Sequence, residues 1–303
     1  MPTGRRGERA TGRIGDSLEA ANRLAKNAGA EATAWDARVL LAHAIGQRNP
    51  LGLDPARELT QAESTRFGDL WDRRLSGTPV QHLVGEWDFH GRPFTVDARA
   101  LVPRPETEIL VEAALREAPH ARHILDAGTG SGIVAASFLC ERPAARAVAL
   151  DSSLPALALA RENRDRHGLG GRMLLLASDW LSALAPSAFD CAVSNPPYLS
   201  IASRESLPRT VRDFDPPAAL YAGQDGLQAI RHLLDALPAH LAPGAPFLFE
   251  IGQGQVEAVE REIRIRSEWT FQSILPDLAG IPRVAVARRP ADALRSELES
   301  RHR

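Results

Sequence analysis

His123-Ile124-Leu125-Asp126-Ala127-Gly128-Thr129-Gly130-Ser131-Gly132 is the stretch that decides how this 303-residue chain is read. A short apolar run ends on an acid, a turn follows with glycine at every second position, and a helical pattern starts at Ile133. Glycines in such a turn accept positive φ and let the backbone approach a ligand closely. Strand, glycine turn and helix in that order build the ligand-binding end of an open α/β sheet. The next apolar run, Arg146 to Asp151, ends on an acid 19 residues beyond Gly132. A carboxylate there can accept from both hydroxyls of a ribose. Turn and acid together predict a ribose-bearing cofactor.

Downstream, strand-like runs recur at Met173 to Leu176, Phe189 to Ser194, Phe247 to Ile251, Phe271 to Ile274 and Val284 to Ala287. Helical patterns lie between several of them, near residues 154–166 and 228–237. Strands separated by helix-length segments predict a mainly parallel sheet, and runs without alternation predict strands buried on both faces. Upstream the pattern is helical: near residues 17–29, with Leu18, Ala21, Leu24, Ala25 and Ala28 on one face, near 34–45, and after Thr60. Thr60 and Glu63 there form a capping box. Gly91, between two aromatic pieces, predicts a β-hairpin. The expected division is a flexible tail at 1–15, a helical bundle at 16–78 that docks substrate, a hairpin linker at 79–103, an α/β domain at 104–289 and a C-terminal tail at 290–303.

Composition narrows the function. Hydrophobic residues at 44% and charged residues at 24% place the chain in the globular range. The net charge of -2 and a single lysine, Lys26, argue against a nucleic-acid partner held by a basic surface. Cys140 and Cys191 sit in apolar runs, as buried free thiols do, with no metal-ligand spacing. No apolar run has membrane-spanning length, and the first fifteen residues lack the apolar core of a secretory signal. A cytoplasmic, metal-free, monomeric protein is expected.

The glycine pattern is G-x-G-x-G, with Asp126 two positions before the first glycine, whereas a dinucleotide fingerprint is G-x-G-x-x-G. It resembles the first motif of class I methyltransferases. That implies a Rossmann-like domain with a seven-stranded, mainly parallel sheet, and S-adenosylmethionine as the cofactor. Gly128, Thr129, Gly130, Ser131, Gly132 and Asp151 are the expected cofactor contacts, with Asp126 near the cationic end. Asp179-Trp180 follows the third strand, where Trp180 either covers the adenine ring or plugs the domain edge.

Ser194-Asn195-Pro196-Pro197-Tyr198 closes the fourth strand. Two prolines stiffen the loop and donate no backbone hydrogen bonds. The Asn195 side-chain oxygen and the Pro196 carbonyl can both accept from one NH2 group. That selects a planar, two-donor nitrogen: a side-chain amide or the exocyclic amine of a base. Tyr198 offers a flat face for stacking. The motif alone does not choose between glutamine and adenine.

Five segments carry a more specific resemblance: T-P-V-Q-H-L-V-G-E-W-D-F from Thr78, L-V-P-R-P-E-T-E from Leu101, D-A-G-T-G-S-G from Asp126, S-D-W from Ser178, and N-P-P-Y from Asn195. The chain resembles the HemK/PrmC family of protein-(glutamine-N(5)) methyltransferases over most of its length. The resemblance implies methylation of the glutamine in the Gly-Gly-Gln loop of class I peptide-chain release factors, with no direct nucleic-acid partner. It places Asn195, Pro196, Pro197 and Tyr198 around that glutamine, Asn195, Pro196 and Tyr198 as catalytic residues, and Asn195 and Trp180 also on the cofactor. R-P-E-T-E at Arg104 favours release factors over a ribosomal-protein substrate. An adenine N(6) methyltransferase acting on DNA or RNA stands as the alternative. Ile281-Pro282 departs from the family, which more often has Arg-Asp there.

Overall fold

The computed structural model describes residues 12–291, and two compact units divide them. The expected tails fall mostly outside these residues. Of residues 12–15, however, Ile14 and Gly15 already belong to a helix.

The first unit takes the described residues up to Glu86, together with Leu207–Phe214. It opens with α1 (Ile14–Ala28), α2 (Ala34–Ala44), α3 (Gln61–Leu75) and the short α4 (Val80–Val84). Gly29, at φ +57, ends α1 in the left-handed conformation that glycine takes without strain. Ala21 and Ala25 are buried as the periodicity predicts, while Leu24 is exposed. The Thr60–Glu63 box forms in both directions. Thr33 and Asp36 form a second one at α2, with Asp at the third position. Each cap contributes about 1 kcal/mol. Asp36 also pairs with Arg74 at 2.9 Å, both largely buried, and Arg74 reaches the Glu31 carbonyl. Helix α4 occupies part of the segment read as hairpin linker.

The second unit, Trp87–Ser206 with the residues from Asp215 on, begins within a two-stranded hairpin, β1 (Glu86–Phe89) and β2 (Arg92–Thr95). Then come α5 (Glu108–Glu117), β3 (His123–Ala127), α6 (Ile133–Glu141), β4 (Arg146–Asp151), α7 (Leu154–Arg166), β5 (Met173–Ala177) and β6 (Cys191–Ser194). After α8 (Arg209–Arg212), which counts with the first unit, follow α9 (Gln228–Ala236), β7 (Pro246–Glu250), α10 (Val256–Arg264), β8 (Thr270–Pro276) and β9 (Pro282–Arg288). The strand order is β5-β4-β3-β6-β7-β9-β8. The first five strands pair parallel, and β9 is antiparallel to both β7 and β8. This is the expected seven-stranded, mainly parallel sheet.

Side chains alternate across the sheet into two apolar layers. Ile124, Val193 and Leu248 face α5 and α6 with Leu110 and Phe138, while Leu125, Phe247 and Phe249 face α9 and α10 with Ile230 and Ile263. Burial of each such side chain stabilises by about 1.5–3 kcal/mol. The chain runs outward from β3 through β4 to β5, then crosses back to β6 on the other side of β3. Strand order therefore reverses between β3 and β6, and a crevice opens at their carboxyl ends.

Candidate active site

Both signature loops leave the sheet at that reversal. Asp126 pairs in register with Val193, so the glycine turn after Ala127 and Asn195 after Ser194 emerge side by side. The Ser194 hydroxyl donates to the Ala127 carbonyl at 2.6 Å and ties the two strand ends together.

The turn is held from beneath. Gly128 and Thr129 donate their N–H groups to the Leu150 carbonyl. Asp126 Oδ2 accepts from the Thr129 hydroxyl at 2.7 Å and from the Ala135 N–H. Burial pushes the Asp126 carboxyl up to about 6, against those hydrogen bonds. The Asp151 carboxylate accepts from Gly130 N–H at 2.8 Å and Ser153 N–H at 2.8 Å. Gly128, Gly130 and Gly132 all have positive φ. Gly132 has a packing reason besides: a Cβ there would lie 3.0 Å from both Ala160 Cβ and Met173 Cε.

A cavity of about 520 Å³ fills the crevice, within the usual size of small-molecule sites. Gly128, Thr129, Gly130, Ser131, Asp151, Trp180, Asn195 and Pro197 line it, whereas Gly132, Pro196 and Tyr198 do not. Trp180, at φ +48, holds a conformation that bulky residues seldom take. Its ring packs on the α9 layer, 5.8 Å from His232, and also borders the cavity. The two readings of this residue are therefore compatible.

The Tyr198 ring lies close over Gly252 instead of along the cavity wall. Gln255 holds this loop: its Nε2 donates to the Tyr198 carbonyl at 3.0 Å and to the Gly226 carbonyl at 3.3 Å, and its Oε1 accepts from Gly252 N–H. Burial pushes the Tyr198 hydroxyl well above its ordinary pKa.

Several residues that line or brace the cavity were not singled out by sequence reasoning. Leu101 to Arg104 and Thr107 form one wall, and Tyr221 another. Asp215, its side chain fully buried, accepts from Val102 N–H and pairs with Arg104 at 2.8 Å, which fixes the first wall. Glu250, at the end of β7, accepts from the Thr107 hydroxyl at 2.7 Å. Two buried polar atoms on lining residues, Asn195 Oδ1 and the Tyr221 hydroxyl, have no partner among the described residues. The R-P-E-T-E run was the available signal for Arg104 and Thr107. Glu250 had none.

Burial raises the Glu250 carboxyl to about 7, opposed by Thr107 and Arg283 and aided by Glu106. Because the folded value exceeds the ordinary 4.5, the native state keeps a proton that the unfolded chain releases. The group's contribution to stability therefore falls as pH rises from about 4.5 to about 7. Glu250→Gln removes that loss. Its stability relative to wild type should rise by on the order of 2 kcal/mol between about pH 5 and pH 8 in urea unfolding. A difference independent of pH would refute this.

Comparison with known proteins follows the same division. Residues 17–85 match the model of the PrmC N-terminal domain, and residues 105–210 match the Methyltransferase small domain. A release factor glutamine methyltransferase from Cereibacter sphaeroides is 42% identical over 286 residues, covering 92% of this chain and 99% of that one. The chain belongs to the release factor glutamine methyltransferases. Another member of the family, from Koribacter versatilis, is 41% identical over 239 residues, 78% of this chain and 84% of its own. The hMettl16 catalytic domain, solved with a MAT2A 3'UTR hairpin, shares the fold at a TM-score of 0.55 and 15% identity, over 78% of this chain and 86% of that one. The domain is a class I methyltransferase, the kind that uses S-adenosylmethionine. No helix among the described residues is long and apolar enough to cross a membrane.

Proposed function

We propose that the chain transfers the methyl group of S-adenosylmethionine to the side-chain amide nitrogen of the glutamine in the Gly-Gly-Gln loop of class I peptide-chain release factors, in the cytoplasm. The observation that carries this reading is Asn195 Oδ1: a buried carbonyl oxygen that lacks a donor among the described residues, on a residue lining the same cavity as the glycine turn and Asp151. A buried acceptor left open costs about 1–3 kcal/mol, and a substrate N–H removes that cost.

The residues fit the cofactor. Asp151 can accept from the ribose hydroxyls with the lone pairs that Gly130 and Ser153 leave. The turn from Gly128 to Ser131 allows close approach of the methionine portion, with Gly132 supporting it from behind. Trp180 can cover the adenine. When bound, the cofactor supplies a sulfonium-activated methyl group.

The protein's own part is to align and polarise the nucleophile. A glutamine amide nitrogen is weakly nucleophilic because its lone pair is delocalised. Asn195 Oδ1 and the Pro196 carbonyl accept from its two N–H bonds, raise electron density on nitrogen and stabilise the positive charge that develops. Pro196 and Pro197 keep the loop stiff, so the nitrogen stays at near-attack distance. Tyr198 anchors the loop from behind. The helical first unit docks the release factor.

Asp151→Ala should weaken S-adenosylmethionine binding by about 10- to 100-fold in calorimetry, the expected loss of charge-assisted hydrogen bonds. Unchanged affinity would remove Asp151 from the cofactor site. The reaction itself is tested with methyl-labelled cofactor and, separately, unmethylated release factor, a release factor with the loop glutamine replaced, ribosomal protein and DNA. Label confined to intact release factor is expected. Label in DNA alone would overturn the reading.

A further inference from the structure

Thr107 lies inside the R-P-E-T-E run, which sequence comparison uses only as a family marker, and the structure gives it a chemical neighbourhood. Its hydroxyl donates to Glu250 Oε2 at 2.7 Å, and it accepts from Asn195 Nδ2 at 3.2 Å. Thr107 and Glu250 are 3% and 2% exposed, so water does not compete for these bonds. Glu250 is also an electrostatic neighbour of the Tyr198 hydroxyl, so it stands near both ends of the N-P-P-Y loop.

The direction of these bonds matters. A hydroxyl has one proton, and once Glu250 is ionised its carboxylate can only accept, so the Thr107 proton goes to Glu250. Toward Asn195 the hydroxyl can therefore only accept. Only the NH2 end of the Asn195 amide satisfies it. The Oδ1 end is turned the other way, where it has no partner among the described residues. A flipped amide would set Oδ1 against the Thr107 lone pairs and present NH2 where the substrate's own NH2 must bind.

We propose that Thr107 and Glu250 are positioning residues for methyl transfer: Glu250 orients the Thr107 hydroxyl, and Thr107 dictates which end of the Asn195 amide meets the substrate. The inference rests on the reading of Asn195 Oδ1 as the acceptor for the substrate amide. Neither residue need touch the substrate. Both act through Asn195.

The test uses the full chain with release factor as substrate, and kcat and KM measured for Asn195→Ala, Thr107→Val, Thr107→Ser and the Asn195→Ala/Thr107→Val double variant. Cofactor affinity from calorimetry serves as the check on folding. Thr107→Val should lower kcat by about 10- to 100-fold, the range found when a supporting residue behind a functional group is removed, with cofactor affinity within about twofold. Thr107→Ser keeps the hydroxyl and should recover to within about threefold of wild type. The double variant should be no slower than Asn195→Ala by more than about twofold, since coupled residues are not additive. Thr107→Val turning over near the wild-type rate, or fully additive losses in the double variant, would overturn the relay. If Asn195→Ala itself keeps normal turnover, the acceptor reading fails first and takes the relay with it.

Discussion

Replacement of Asn195 by alanine is expected to leave S-adenosylmethionine binding nearly intact and to lower kcat by about 100- to 1,000-fold, the loss typical of removing one group that stabilises developing charge. The expectation follows from where the side chain stands. Its Nδ2 is used on Thr107, its Oδ1 is open, and the residue borders the cavity beside the glycine turn. On the proposed reading, cofactor contacts are spread over that turn, Asp151 and Trp180, so losing one amide removes little cofactor affinity. The substrate amide, by contrast, loses one of only two acceptors. Single-turnover rates with release factor separate the effects. Turnover close to wild type would show that the Pro196 carbonyl alone suffices and that the two-acceptor mechanism is wrong.

Gly226→Ala is the second large effect, and it acts through the backbone. A Cβ on Gly226 would lie 2.3 Å from the Tyr198 carbonyl oxygen and 2.9 Å from Gln255 Nε2, and φ there is +75. No alanine fits that space in that conformation. Either the N-P-P-Y loop moves or the Gln255 clamp opens. Strain and overpacking of this kind cost on the order of 3 kcal/mol, which lowers the unfolding midpoint by roughly 6–12 °C in a domain of this size. Turnover should fall as well, because the displaced carbonyl adjoins the residues proposed to grip the substrate. Thermal unfolding and kcat check both parts. A midpoint within a degree or two of wild type would mean that the loop has another low-energy position.

The parts of this molecule that could be read from sequence are those in which the physics is local. The turn from Gly128 to Gly132 needs glycine within five consecutive positions, and Asp151 ends the very next strand. The Thr60–Glu63 box spans four residues. Glu250 and Thr107 stand 143 residues apart, and each is unremarkable where it stands. Asp215 reaches Val102 over a separation of 113. Such pairs become visible only when the sheet brings β7 beside β6 and the wall from Leu101 to Arg104 over the crevice. Gly226 belongs with them, since its necessity comes from the Tyr198 carbonyl and not from its neighbours in the chain. Tyr198 illustrates the converse. An aromatic after two prolines suggested a stacking face, yet the ring settles over Gly252.

The composition of the first unit has a consequence for the order in which the protein can assemble. Glu31, just after α1, receives the N–H of Arg209, 178 residues later, and Thr210 adds its hydroxyl. Phe214 reaches Gly77, with its ring edge 3.4 Å from where a Cβ would be. A growing chain therefore cannot finish its helical unit when Glu86 leaves the ribosome. The unit waits until Leu207–Phe214 has been made, by which time β3 to β6 and both signature loops have already emerged. Closing contacts at such separation carry an entropic cost that slows folding. The end of synthesis of the first unit thus falls after the start of the second, and the nascent chain completes the two in an interleaved order.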